Sequence, residues 1–181
     1  MAVLIEAISV VIRLETIVAK YRGGVEQYVR DCPNSTLCMD KDIVRVGFMT
    51  TSDAIDFVKG LEKDGFRCVT DGEYDEIAIV DQFEGFFRPC DWLEFTNSAG
   101  GKNIERISAC KIKGAPIDYI SKPEGWNYET SISKRAMYVD ADEFAARTTF
   151  LQRKGNVYFY LDKLTGEEVC FQRTIKRNLN S

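Results

Sequence analysis

Four carboxylates have the type and spacing to do chemistry: Asp81, Glu84, Asp91 and Glu94, interleaved with large apolar residues. Two acids on neighbouring strands can divide acid and base roles, and an Asp/Glu set can hold Mg²⁺ or Ca²⁺. The twelve-residue calcium loop pattern is absent, so a carboxylate enzyme or a small-ligand or metal-binding protein stands as the alternative function. The chain has no histidine. That removes Ser-His-Asp and Cys-His catalysis and histidine-ligated zinc, because each needs an imidazole. Arg88 close to Cys90 would favour a thiolate. Without a histidine base, the expectation for Cys90 is a buried core thiol. Gly100-Gly101-Lys102 lacks the spacing and the Ser/Thr of a phosphate loop. No cofactor is expected.

Aromatic residues give the second constellation. Gln82 to Trp92 holds Phe83, Phe86, Phe87 and Trp92, with bends at Gly85 and Pro89. Apolar anchors beside charges are the composition of a protein–protein hot spot. Phe83 and Trp92 are expected in the core; Phe86 and Phe87 fit a sheet cap and a binding surface equally. Trp126 and Tyr128 sit in a loop-type sequence, where an aromatic pair stacks on a base, fills a partner's groove or pins the loop to the second half of the chain. The stretch from Asp71 to Glu94 carries eight acids against Arg88 alone. Asp71, Glu73 and Asp75 read mainly as a solvated hairpin tip. The candidate partner-binding residues are Asp75, Glu76, Glu84, Phe86, Phe87, Arg88, Trp126 and Tyr128.

Charge points the same way. The chain of 181 residues has 24 Lys+Arg and 28 Asp+Glu, a net charge of −4, with a sequence pI near 5.1. Residues 1–96 hold 10 basic against 18 acidic side chains, a net of −8, and residues 97–181 hold 14 against 10, a net of +4. An acidic field steers basic protein partners and repels nucleic acid. Nucleic acid is therefore not an expected partner, and another protein is. The longest apolar runs are too short to span a bilayer, and no basic residue precedes the run at 2–12 as in a secretory signal. The six scattered cysteines form no Cys-x-x-Cys pair. A reduced, cytoplasmic protein is expected, while the oligomeric state is not legible.

The elements that must hold these residues follow from periodicity. Residues 2–12 read as one central strand. Leu14 to Arg30 has helical spacing with a possible break at Gly23-Gly24. Residues 36–39 and 43–49 read as a hairpin. Thr50 to Asp53 supplies helix-capping oxygens, and Ala54 to Lys63 follows as a helix with Ile55, Val58 and Leu61 inward and Gly65 as its stop. Phe66 to Val69 and Ile77 to Asp81 read as strands about an Asp71-Gly72 hairpin turn. Pro89 to Phe95 and Ile104 to Ile112 are further strands. Gly114 to Tyr128 is loop-rich, Ile132 to Val139 reads as a strand and Ala141 to Leu151 as a helix. Residues 156–161 and 168–172 make a last hairpin. The fold class is α+β: a ferredoxin-like βαββαβ part with extra strands, then a β-rich part with one short helix. Three segments are expected: an acidic domain over 1–96, a linker over 97–103 and a net basic subdomain over 104–181.

Three runs carry a resemblance: Val46-Gly47-Phe48-Met49-Thr50, Ile79-Val80-Asp81-Gln82 and Pro89-Cys90-Asp91-Trp92-Leu93-Glu94-Phe95. Over roughly residues 6–96 the chain resembles small bacterial cytosolic proteins in the style of toxin-system immunity proteins. The resemblance implies a binding protein that occludes a secreted toxin, and it transfers no active-site residue. The expected function is thus an immunity or antitoxin-type inhibitor that meets a cognate basic toxin through an acidic, aromatic-rich surface, a binding role in preference to an enzymatic one.

Overall fold

The computed structural model describes residues 1–98, 107–136, 145–146, 148–155, 157–163, 166 and 168–172. It is a strand-rich α+β protein, and it divides into two compact units, residues 1–136 and 137–181.

The first unit begins with β1 (Ala2–Ile5) and β2 (Ile8–Arg13), both buried along almost their whole length. The single strand expected over 2–12 is therefore two strands. They separate at Ala7, whose φ of 45° lies in the left-handed region, and they enter different sheets. The reason is local: Glu6 and Ala7 bond to side chains of other elements, and the ladder cannot continue through them. Helices α1 (Leu14–Lys20) and α2 (Gly24–Asp31) follow, parted at the expected glycine pair. Gly23 has φ 91°, and a Cβ there would meet Gln27 Cβ at 2.6 Å, so this break requires glycine.

The hairpin β3 (Cys38–Met39) and β4 (Ile43–Phe48) forms as expected. Thr50 Oγ1 then accepts from the Asp53 amide at 3.1 Å and starts α3 (Thr51–Lys63), satisfying one free donor of its first turn. Ala54, Val58 and Leu61 face inward. Ile55 does not, being 39% exposed; with the cap at Thr50, Ala54 takes the buried position in its place. Asp71 and Gly72 both have positive φ and close a tight hairpin of β5 (Val69–Thr70) and β6 (Glu73–Tyr74). The return strand β7 (Ile77–Asp81) leaves that hairpin and pairs with β2 instead. β8 (Gly85–Phe86) borders β7.

β9 (Leu93–Ser98) and β10 (Ile107–Ile112) are antiparallel neighbours. The expected linker at 97–103 thus does not divide the protein: the strands on either side of it bond to each other, and the division falls after Ala136. Recounted at that boundary, residues 1–136 carry 17 basic and 22 acidic side chains, a net of −5, and residues 137–181 carry 7 and 6, a net of +1. The contrast in charge shrinks accordingly. β11 (Ile120–Ser121) lies parallel to β1, and after a 3-10 turn at Tyr128–Thr130 comes α4 (Ile132–Ala136). A strand was expected over Ile132 to Val139, of which residues 137–139 lie outside the described ones. Ser131 accounts for the helix, because its Oγ accepts from the Lys134 amide at 3.3 Å and caps the first turn.

Besides the β5-β6 hairpin, two larger sheets form in this unit, with orders β3-β4-β2-β7-β8 and β11-β1-β10-β9. In the first, every pairing is antiparallel. One of its faces meets the helices, as the Phe48–Phe57 ring pair at 5.2 Å marks. From the other face Arg45 reaches the Leu4 carbonyl of β1. β4 is covered on both faces, which is why all six of its residues are buried.

In the second unit, β12 (Thr148–Lys154), β13 (Val157–Asp162) and β14 (Glu168–Gln172) form an antiparallel sheet in chain order. β13 and β14 are the expected last hairpin. The helix expected over 141–151 gives way to β12 from Thr148 onward, where Thr148-Thr149-Phe150 pairs with β13; residues 141–144 lie outside the described ones.

Candidate functional site

The eight candidate residues fall into three groups. The first faces solvent. Asp81 Oδ1 accepts from the amides of Phe83 and Glu84, at 2.7 and 3.0 Å, and turns the chain out of β7. Gly85 continues the turn with φ 82° against the Phe95 ring, and Phe86 packs edge-on to Phe95 at 6.3 Å. This leaves Glu84, Phe87 and Arg88 exposed; Phe87 has 49% of its surface in solvent. The Asp71-Gly72 hairpin borders the segment, because Tyr74 N donates to Pro89 O at 2.9 Å. Val69, 41% exposed, adds a second apolar side chain, and Asp71, Glu73 and Asp91 are exposed acids. Among the described residues, Glu73, Glu84 and Asp91 take part in no ion pair.

The second group, Asp75 and Glu76, is neutralised within the molecule. Asp75 pairs with Arg67 at 3.2 Å and accepts from Thr70 at 2.9 Å. Glu76 is only 8% exposed. Lys20 Nζ lies 2.8 Å from its carboxylate, and the Arg67 amide donates to Oε2 at 2.8 Å. The carboxylate fastens α1 to the segment leading into β5, so Glu76 holds the fold together and presents no free charge.

The third group, Trp126 and Tyr128, turns inward. Trp126 is half-buried and donates Nε1–H to Glu6 Oε1 at 2.7 Å. Tyr128 is buried and stands edge-on to Trp126 at 6.4 Å. Lys122 Nζ lies 4.6 Å over the Trp126 ring.

The four carboxylates do not converge. Asp81 serves its own turn, and Glu94 bonds Lys111 at 2.6 Å and the Gly114 amide at 3.2 Å. Lys111 lowers the Glu94 pKa, as a cation favours the charged form. Among the described residues, no group of three or more Cys, Asp or Glu is placed to hold a metal ion. Burial pushes the Cys90 thiol up, against activation as a nucleophile. No helix among the described residues is long and apolar enough to cross a membrane.

Sequence reasoning missed the most enclosed polar cluster. Arg45 and Glu6, both with almost no exposed surface, form an ion pair at 2.8 Å. Arg45 also donates to the Leu4 carbonyl and, at 2.7 Å, to the Thr36 carbonyl. The signal was present: Glu6 breaks an apolar run, Arg45 stands mid-strand, and buried charges of this kind occur in pairs. A cleft of about 610 Å³ between α1 and α2 is lined by Lys20, Tyr21, Arg22, Gln27 and Asp31. Tyr21 donates to Asp31 at 3.0 Å, and burial and that carboxylate push its pKa up to about 12. The residues that line the cleft are mostly charged or polar. Compared with known proteins, the chain matches no family model, no curated sequence and no solved structure.

Proposed function

We propose that the chain is a protein-binding module of the immunity or antitoxin type, acting in the cytoplasm on a basic protein partner. The observation that carries this is Phe87, a large apolar side chain held half in solvent on a fixed turn. Glu84 belongs to the same turn, Glu73 to the hairpin that borders it and Asp91 to the chain just after it, and among the described residues these three carboxylates take part in no ion pair. An apolar anchor beside exposed acids fits a basic, apolar-pocketed surface, and the acidic field speeds encounter with one. Free cysteines at positions 32, 38, 68, 90 and 110 accord with a reducing compartment. The core is read as ferredoxin-like; the antiparallel order β3-β4-β2-β7, with helices joining β2 to β3 and β4 to β7, supports that assignment.

The test is association kinetics with the partner that copurifies from the native host. Phe87→Ala should weaken binding at least about tenfold, as a hot-spot truncation does. Joint reversal of Glu73, Glu84 and Asp91 to Lys should slow association and flatten its salt dependence. Unchanged binding in both variants overturns the assignment of this surface.

A further inference from the structure

We infer that residues 114–136 form a strap that opens as a unit from an intact core, and that the Glu6 carboxylate is its clasp. The first unit's buried hydrophobic cluster draws every member from residues 3–110, and of the strap only Ile120 and Trp126 pack against it in part. Removing the strap takes β11 and the Ala2 N–Tyr119 O bond from one edge of β1 but leaves β1 paired with β10 along the other, and it leaves the pairings of the five-stranded sheet in place. The strap is fastened chiefly by polar bonds. Ser121 Oγ donates to Met39 O at 2.7 Å, and Gln82 Nε2 donates to Ser133 O at 3.1 Å. Trp126 Nε1 and Ser133 Oγ both donate to Glu6 Oε1, at 2.7 and 3.2 Å.

The two oxygens of Glu6 divide the work. Oε2 faces Arg45 Nη2 at 2.8 Å, and Oε1 faces the strap. When the strap lifts, Glu6 keeps its cation. Opening therefore strands no unpaired buried charge, the outcome that makes most openings at buried ions prohibitive. Lifting would carry the Trp126 ring and the buried Tyr128 into solvent. The strap is a low-stability unit beside a high-stability core, the pattern of sub-global opening.

Native-state hydrogen exchange on the full chain tests this with Trp126→Phe, which keeps the ring and removes the donor, and with Ser133→Ala. Each should accelerate amide exchange at Trp126, Ser131 and Arg135 by about tenfold or more, the loss of one hydrogen bond to a charged group. Amides of Val10 and Val46 in the central strands should stay within about twofold of the parent, since they report the global unit. Strap amides that respond to neither variant overturn the clasp. Equal acceleration in strap and central strands, or loss of folding in both variants, overturns the separate unit. If one variant fails to fold, the other decides.

Discussion

Glu76 and Glu84 look alike in the sequence and are opposite in the structure, so replacing each by alanine is a sharp test. Glu84 is exposed and takes part in no ion pair among the described residues, and its removal should change stability by no more than about 0.5 kcal/mol. Glu76 is buried and receives Lys20 Nζ and the Arg67 amide, each at 2.8 Å. Its loss strands a backbone donor, at about 1–3 kcal/mol. It also unpairs Lys20, whose side chain is 30% exposed, so solvent screens that part and the full figure for a buried pair of about 3–5 kcal/mol is an upper bound. The expected total is about 2–4 kcal/mol, which for a chain of this size lowers Tm by roughly 5–15 °C. Urea titration at pH 7, followed by far-UV circular dichroism, reads both variants. The reasoning fails if Glu76→Ala costs less than about 1 kcal/mol, or if Glu84→Ala costs as much as Glu76→Ala.

Other outcomes follow from single contacts. Arg45→Met should cost about 3–5 kcal/mol in denaturant titration by leaving Glu6 charged and buried, and Glu6→Leu added to it should recover part of the loss, with Trp126 Nε1 and Ser133 Oγ still short of an acceptor. Ala7→Gly should raise the unfolding free energy by up to about 1 kcal/mol in denaturant titration, since glycine adopts φ 45° without strain; a fall would refute the corner geometry. Gly47→Ala places a Cβ 2.7 Å from Ile132 Cδ1 and 3.0 Å from Arg45 Nη1, and overpacking there should cost about 1–3 kcal/mol and loosen α4 first by hydrogen exchange. Stability should fall as pH rises from about 9 to 12: burial raises Cys68 from 9.0 to about 11 and Tyr74 from 10.0 to about 12. Both groups bind more protons folded than unfolded in that window, so the sign is a loss, checked by Tm against pH, and a flat profile would refute the upward shifts assigned to these two buried groups.

What the sequence disclosed was local chemistry. The Thr50 cap, the Gly23-Gly24 break and the Asp71-Gly72 turn are decided by a few adjacent residues, and each stands where spacing placed it. What stayed hidden depends on partners far along the chain. Residues 2–12 are apolar apart from Glu6 and Ser9, and nothing in periodicity tells one strand from two that enter different sheets; only Glu6 marks the corner. Ile132 to Val139 has strand-type composition, but Ser131 and its tertiary setting start a helix. Trp126 reads as a surface aromatic because its acceptor, Glu6, is supplied by the opposite end of the unit. For the candidate surface, composition pointed to residues 84–88, of which Glu84, Phe87 and Arg88 are exposed, yet it could not separate Glu84 from Glu76, since the neutralising Lys20 arrives from a helix.

The pairing of β1 has a consequence in time. Its four residues are wholly buried, and their partners are Ser108 to Cys110 in β10 and Ile120 and Ser121 in β11. During synthesis at roughly 5–20 residues per second, this apolar segment waits about 5–20 s before any of its partners exists. The five-stranded sheet, whose last strand ends at Phe86, is complete well before that. The nascent chain therefore passes through a stage with a formed sheet and a sticky, unpaired leading strand. In that interval a holding chaperone, or a second nascent chain, competes with β10 for the same edge.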